Sequence, residues 1–198
     1  MSLSTAIFEH LQITFLGVLM GLIVGVIVAT LMNRNQIFKQ IVFVMIEVIQ
    51  TIPTLAMFTF VMLVFGLNDT TVIVSVFLYS LFPIIRNTYT GIAGVDPGVK
   101  RAAKGIGMNP LQIYIMIELP IALPVIIAGL KLALVSALSI VTTGVLIGSG
   151  GLGMLVWRGI QTRNTNMMLS GAIPVSMMAI LMEWILSRVE KWLVTYRS

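Results

Sequence analysis

Five stretches of this chain, residues 11–32, 41–66, 71–94, 121–147 and 167–188, are each apolar over the length that a bilayer crossing demands. A spanning helix needs about 20 mostly apolar residues. Between them lie "NRNQIFKQ", "GLND", a longer polar piece around "KRAAKGIGMNPLQIYIMIELP", and "GSGGLGMLVWRGIQTRNTN". Of the 198 residues, 58% are hydrophobic and only 10% are charged, against about 25% charged in a soluble domain. So few polar side chains cannot cover a water-facing surface, so the solvent for most of the chain is lipid. Lipid offers the backbone no hydrogen bonds, so each span must satisfy its own as a helix. The expected fold is therefore all-α, a polytopic membrane protein with residues 1–198 as a single transmembrane domain. The first apolar run is longer than the roughly 7–15 residues of a cleaved signal and has no basic lead-in, so it is expected to be retained.

Five spans put the termini on opposite sides, and the cations choose which. One side receives Arg34, Lys39, Lys100, Arg101, Lys104, Arg188, Lys191 and Arg197; the other receives Arg158 and Arg163 with the acids Glu9 and Asp69. Basic loops stay in the cytoplasm, which predicts an external N-terminus and an internal C-terminus. The net charge of +5 is thus read as topology, with no nucleic-acid partner. The chain has no cysteine, which removes disulfides, thiolate nucleophiles and thiolate metal sites. Its one histidine, His10, makes a poor metal site alone. No paired carboxylates, Ser-His-Asp set or Walker A loop is present, so neither catalytic nor metal-ligating residues are assigned.

The polar piece at residues 96–119 carries helix punctuation. Asp96 can cap a helix whose first residue is Pro97, and Gly105 or Gly107 can end it in a left-handed conformation. Asn109-Pro110 repeats the start signal, and Leu111, Tyr114, Ile115 and Glu118 follow at helical spacing up to Pro120. The expectation is two short surface helices, about 97–106 and 110–118. Lys100, Arg101 and Lys104 flank small Ala102 and Ala103, which suits either anionic lipid or a protein groove that admits a close backbone.

Ala102, Ala103, Gly107, Ile117, Leu119 and Pro120 also stand at every spacing of the EAA loop of ABC importer permeases, which this piece resembles. The chain departs from that pattern at Arg101, where the family usually has Glu. "QTIPTLAMF", "LFPIIRNTYTGI", "GVLIGSGGLG" and "SGAIP" look like the permeases of osmoprotectant importers, which carry glycine betaine, carnitine or choline. Together these motifs cover about residues 47–176. The resemblance implies a type I ABC importer permease fold in a bacterial cytoplasmic membrane. It implies that 96–119 holds a coupling helix docked on a cytoplasmic ATPase dimer, with Ala102 and Ala103 against the ATPase groove. ATP and Mg would be bound by that partner and no cofactor by this chain. A second permease copy or paralogue and an external solute-binding protein complete the expected assembly.

Other features admit a structural or a functional reading. Gly148, Gly150, Gly151 and Gly153 fit a G-x-G-x-x-G pattern, but a span precedes it and no acid follows until Glu183, so it is not a dinucleotide site. An external turn is expected instead, for tight packing or for contact with a delivery protein. Pro53, Pro83 and Pro174 lie inside spans and favour kinks, serving either packing or a gate around a central pathway. Glu47, Arg86, Lys131 and Glu183 lie in or near the ends of spans. They are expected either to neutralise one another or to line an inward-facing vestibule. Lys131 is the deepest, about ten residues along its span, or roughly 15 Å. Trp157, Trp184 and Trp192 suit interfacial anchoring, and Tyr79 and Tyr89 are candidates for contact with a cationic ligand. A small ion-coupled carrier or channel is the rival function, and a purely structural membrane subunit the third. The EAA-like spacing and the small number of spans count against the carrier.

Overall fold

Ser2 opens the first helix: its hydroxyl accepts the Thr5 amide at 3.2 Å, and α1 runs Leu3–Met32. It starts well before residue 11 because that cap and the buried Ala6 and His10 hold the extra turns to the protein. The computed structural model describes residues 2–195; Arg197 lies outside them. The helices that follow are α2 (Gln36–Thr51), α3 (Thr54–Phe65), α4 (Asp69–Ala93), α5 (Pro97–Gly105), α6 (Pro110–Ile113), α7 (Leu119–Thr143), α8 (Gly153–Gln161) and α9 (Thr165–Thr195). No strand occurs among the described residues.

α4 is the central helix. α1 lies along it through Gly17, Gly21 and Gly25, which recur once per turn. A Cβ on Gly17 would stand 2.6 Å from Val76 Cγ1, one on Gly21 3.0 Å from Ser80 Cβ, and one on Gly25 2.7 Å from Ile84 Cγ2. Small residues let membrane helices approach this closely and gain backbone dispersion contacts. On its other side α4 meets α7, where a Cβ on Gly129 would sit 2.7 Å from the Pro83 carbonyl oxygen. Phe58, Val72, Val76, Ile84 and Val141 fill the core between α1, α3, α4 and α7. α9 packs on α7 and α8 and leaves most of its length exposed.

The second expected span, 41–66, is not one straight helix. α2 and α3 meet at 105°. Pro53 lacks an N–H and forces its predecessor out of the helical region, so Ile52 takes φ −68° and ψ 125°. The Ile52 carbonyl, lost to the helix ladder, accepts the Tyr79 hydroxyl from α4. Sixteen residues and twelve residues give about 24 and 18 Å of helix, so the expected second span is two shorter helices joined at a sharp bend.

The second short helix, expected at 110–118 and ended by Pro120, also needs correction. α6 covers only Pro110–Ile113, and a π turn at Tyr114–Glu118 carries the chain straight into α7. In that wider turn the Leu119 amide bonds to the Tyr114 carbonyl. Pro120 then falls just after the π turn, in the first turn of α7, and does not end the helix. Residues 110–147 thus form one apolar helical segment. The remaining spans are close to expectation, with α9 extending past residue 188.

Candidate functional site

The loop between α4 and α7 is built from local capping. Asp96 Oδ1 accepts the Gly98 amide at 2.6 Å and starts α5. Its end is a Schellman turn: the Met108 amide donates to the Ala103 carbonyl at 3.1 Å and the Gly107 amide to the Lys104 carbonyl at 3.0 Å. Gly107 has φ 87°, the left-handed conformation such a turn needs. Asn109 then forms a capping box with Gln112, at 2.8 and 2.9 Å.

This geometry divides the expected docking residues into two sets. Arg101, Ala102, Lys104 and Gly107 are exposed, beside Ile106 at 80% and Leu111 at 63% exposure. Ala103 is buried within the chain, so the two alanines do not share an outward face. Lys100 also turns inward: its Nζ lies 2.7 Å from Glu118 Oε1 and donates to the Ile92 carbonyl at 3.4 Å. It ties α5 to the end of α4 and the foot of α7. Ile117, Leu119 and Pro120 are half-buried in the π turn and the start of α7, where they position the loop. Glu118 was legible only as a spaced residue, because its partner lies on another helix.

A cavity of about 560 Å³ opens where α2 and α3 break. Pro53 and Pro83 both line it, so the structure brings two of the three marked prolines together. Around them are Gln50, Thr51, Thr54, Tyr79 and Phe82, with Ser136 and Ser139 from α7. Ser136 and Ser139 point away from the core, although they sit within an apolar span. Their spacing of three in "KLALVSALSI" was a readable sign of a polar helix face. No charged side chain lines the cavity. Arg86 stands one turn along α4, its guanidinium carbon 5.5 Å from the centre of the Phe82 ring.

Lys131 and Pro174 are elsewhere. Lys131 Nζ lies 3.1 Å from Glu190 Oε2 and donates to Ser187 Oγ at 3.2 Å, joining α7 to α9. The expected mutual neutralisation of Glu47, Arg86, Lys131 and Glu183 is therefore replaced: Lys131 pairs with Glu190, Arg86 lies over Phe82, and both Glu47 and Glu183 are exposed. Pro174 borders a separate apolar hollow with Ile7 and Trp184. Of the two tyrosines, Tyr79 lines the cavity. Tyr89 stacks edge-on with Phe43 at 5.3 Å and carries Lys39 at 5.0 Å over its ring.

At the opposite end the Gly148–Gly153 turn is folded inward. Asp69 Oδ1 accepts Ser149 Oγ at 2.6 Å and the Gly150 amide at 3.0 Å, and Glu9 Oε2 accepts the Gly151 amide at 3.1 Å. Ser149 is buried, and a Cβ on Gly153 would overlap the Thr142 carbonyl oxygen. His10 lies against Gly151, with its Nε2 3.2 Å from the Leu138 carbonyl. Two carboxylates therefore clamp this turn to α1 and α4, while His10 packs against it and ties α1 to α7.

The chain is 44% identical to the glycine betaine/carnitine/choline transport system permease protein OpuCD of Bacillus subtilis, over 93% of this chain and 81% of that one. It is 46% identical to the choline transport system permease protein OpuBD of Bacillus subtilis, over 92% and 84%. A chain of the MetNI methionine ABC transporter in an inward-facing conformation superposes with a TM-score of 0.83 at 21% identity, over 98% of this chain and 99% of that one. The fold is thus that of a type I ABC importer permease. The family model for binding-protein-dependent transport system inner membrane components matches residues 17–195, and the chain belongs to that family.

Proposed function

We propose that the chain forms the translocation path for a small quaternary amine of the glycine betaine, carnitine and choline class, in an importer driven by ATP. The observation that carries this reading is the uncharged cavity at the α2–α3 break. A quaternary ammonium group offers no hydrogen-bond donor, so it is recognised by aromatic faces and neutral oxygens. Tyr79, Phe82 and the hydroxyls of Thr51, Thr54, Ser136 and Ser139 supply both, with no lining cation to repel it. The names of the related permeases point to the same solutes.

Arg101, Ala102, Ile106 and Leu111 offer an exposed face to a cytoplasmic ATPase dimer, which binds the ATP and Mg. Lys100 links α5 to α4 through Ile92 and to α7 through Glu118. Those two helices wall the cavity, so a displacement of α5 is carried to both walls. A second permease, identical or paralogous, closes the path, and a binding protein delivers solute at the end bearing Glu9, Asp69 and the Gly148–Gly153 turn. Arg34, Lys39, Lys100, Arg101 and Lys104 then face the cytoplasm, with the N-terminus outside. This chain makes and breaks no covalent bond.

The test is reconstitution with the ATPase and the binding protein. ATP-dependent uptake of labelled choline or glycine betaine is expected, lost with a catalytically dead ATPase. Uptake that persists with the dead ATPase and follows an ion gradient would instead establish a secondary carrier. Single cysteines at 69 and 163, but not at 104, should label with an impermeant maleimide in intact cells.

A further inference from the structure

A second cavity, of about 420 Å³, lies between the end of α1 and the α5–α6 loop. It shares no lining residue with the cavity at the α2–α3 break. Three cations line it, Arg34, Lys100 and Lys104, against one carboxylate, Glu118. Lys100 already engages that carboxylate at 2.7 Å. Arg34 and Lys104 have no ion-pair partner among the described residues, so the cavity carries an uncompensated double positive charge. Its far wall is held in place by the hydrogen bond of 2.7 Å between the Thr30 and Tyr114 hydroxyls. Apolar Ile92, Leu111 and Ile113 line the cavity as well, together with the amide of Asn33.

The cavity sits where the apolar run of α1 stops, between buried Met32 and exposed Arg34. That is headgroup depth for a helix that crosses the membrane. A cationic rim over an apolar wall at this depth fits a phosphate that carries hydrocarbon. An arginine fork binds phosphate oxygens in pairs, and a lysine adds a point charge. We propose that this cavity binds the phosphate of an anionic phospholipid, held by Arg34 and Lys104. The bound headgroup would pin the coupling loop to the inner end of α1. The lipid would thereby become a structural part of the loop that meets the ATPase.

The site is tested without transport, so its failure is separate from failure of the proposed function. The full chain is assembled in nanodiscs of phosphatidylcholine with or without phosphatidylglycerol, then delipidated in detergent and weighed by native mass spectrometry. Wild type is expected to keep a phosphatidylglycerol after phosphatidylcholine is gone. Each basic side chain near an anionic surface adds about 1 kcal/mol, so Arg34→Gln with Lys104→Gln should weaken retention about thirtyfold. Arg101→Gln, exposed on the same helix but outside the cavity, should retain the lipid. Equal retention by the double variant, or equal loss with Arg101→Gln, would overturn the site. Binding of inorganic phosphate that depends on Arg34 and Lys104, with no phosphatidylglycerol retained by wild type, would assign the cavity to a free anion and overturn the lipid proposal.

Discussion

Gly105 and Gly107 stand two residues apart at the end of α5, and a methyl group on either would meet no atom within 4 Å. Sterics with neighbours therefore cancel between them, and the backbone alone separates their effects. Gly105 closes α5 in helical conformation, whereas Gly107 has φ 87°. Gly107→Ala forces an L side chain into the left-handed region, at a cost of roughly 1–2 kcal/mol. Gly105→Ala adds no native strain and restricts the unfolded chain, which stabilises by about 0.4–1 kcal/mol. The reporter is the Met108 amide, whose bond to the Ala103 carbonyl at 3.1 Å exists only while the turn is closed. If it exchanges by local opening, Gly107→Ala should speed its hydrogen exchange about 5- to 30-fold. Gly105→Ala should slow it about 2- to 5-fold. Amide exchange on the chain in nanodiscs reads both. Shifts in the same direction, or no change with Gly107→Ala, would refute the assignment of strain to that turn.

Three further outcomes follow from the packing. Gly21→Ala drives a methyl onto Ser80, with Cβ atoms 3.0 Å apart; an overpacking loss of about 1–3 kcal/mol should lower the thermal midpoint in detergent, and Ser80→Gly in the same chain should restore most of it. Glu190→Gln leaves the Lys131 ammonium facing a neutral amide and should cost about 1.5–3 kcal/mol. The paired change Lys131→Met with Glu190→Leu should recover that stability, and an unchanged midpoint in the single variant would show the pair to be idle. Asp69→Ala removes the acceptor of both Ser149 and Gly150, so the Gly150 amide should exchange faster while the Gly151 amide, held by Glu9, changes less.

What could be read from the sequence was what local chemistry decides. Apolar length alone marks the spans, and Asp96-Pro97 and Asn109-Pro110 carry their own start signals, so α5 and the start of α6 were legible, whereas the continuous run into α7 was not. The left-handed Gly107 was legible for the same reason. The seam of Gly17, Gly21 and Gly25 is visible as small residues one turn apart, yet nothing in α1 says that it meets Val76, Ser80 and Ile84.

Tertiary structure decided everything that depends on which face meets which neighbour. Pro53 predicts a kink, but its 105° break stands because Tyr79, on another helix, caps the Ile52 carbonyl. Lys100 and Ala103 look like docking residues in a nine-residue helix too short to display a clear apolar face, and only its packing turns them inward. Lys131 finds Glu190 across 59 positions in preference to the acids weighed from its own side of the membrane. Ionic and hydrogen-bonded partners act over a few ångströms of space. A linear sequence records those distances only within a helical turn or two, and beyond that the packing of the helices sets them.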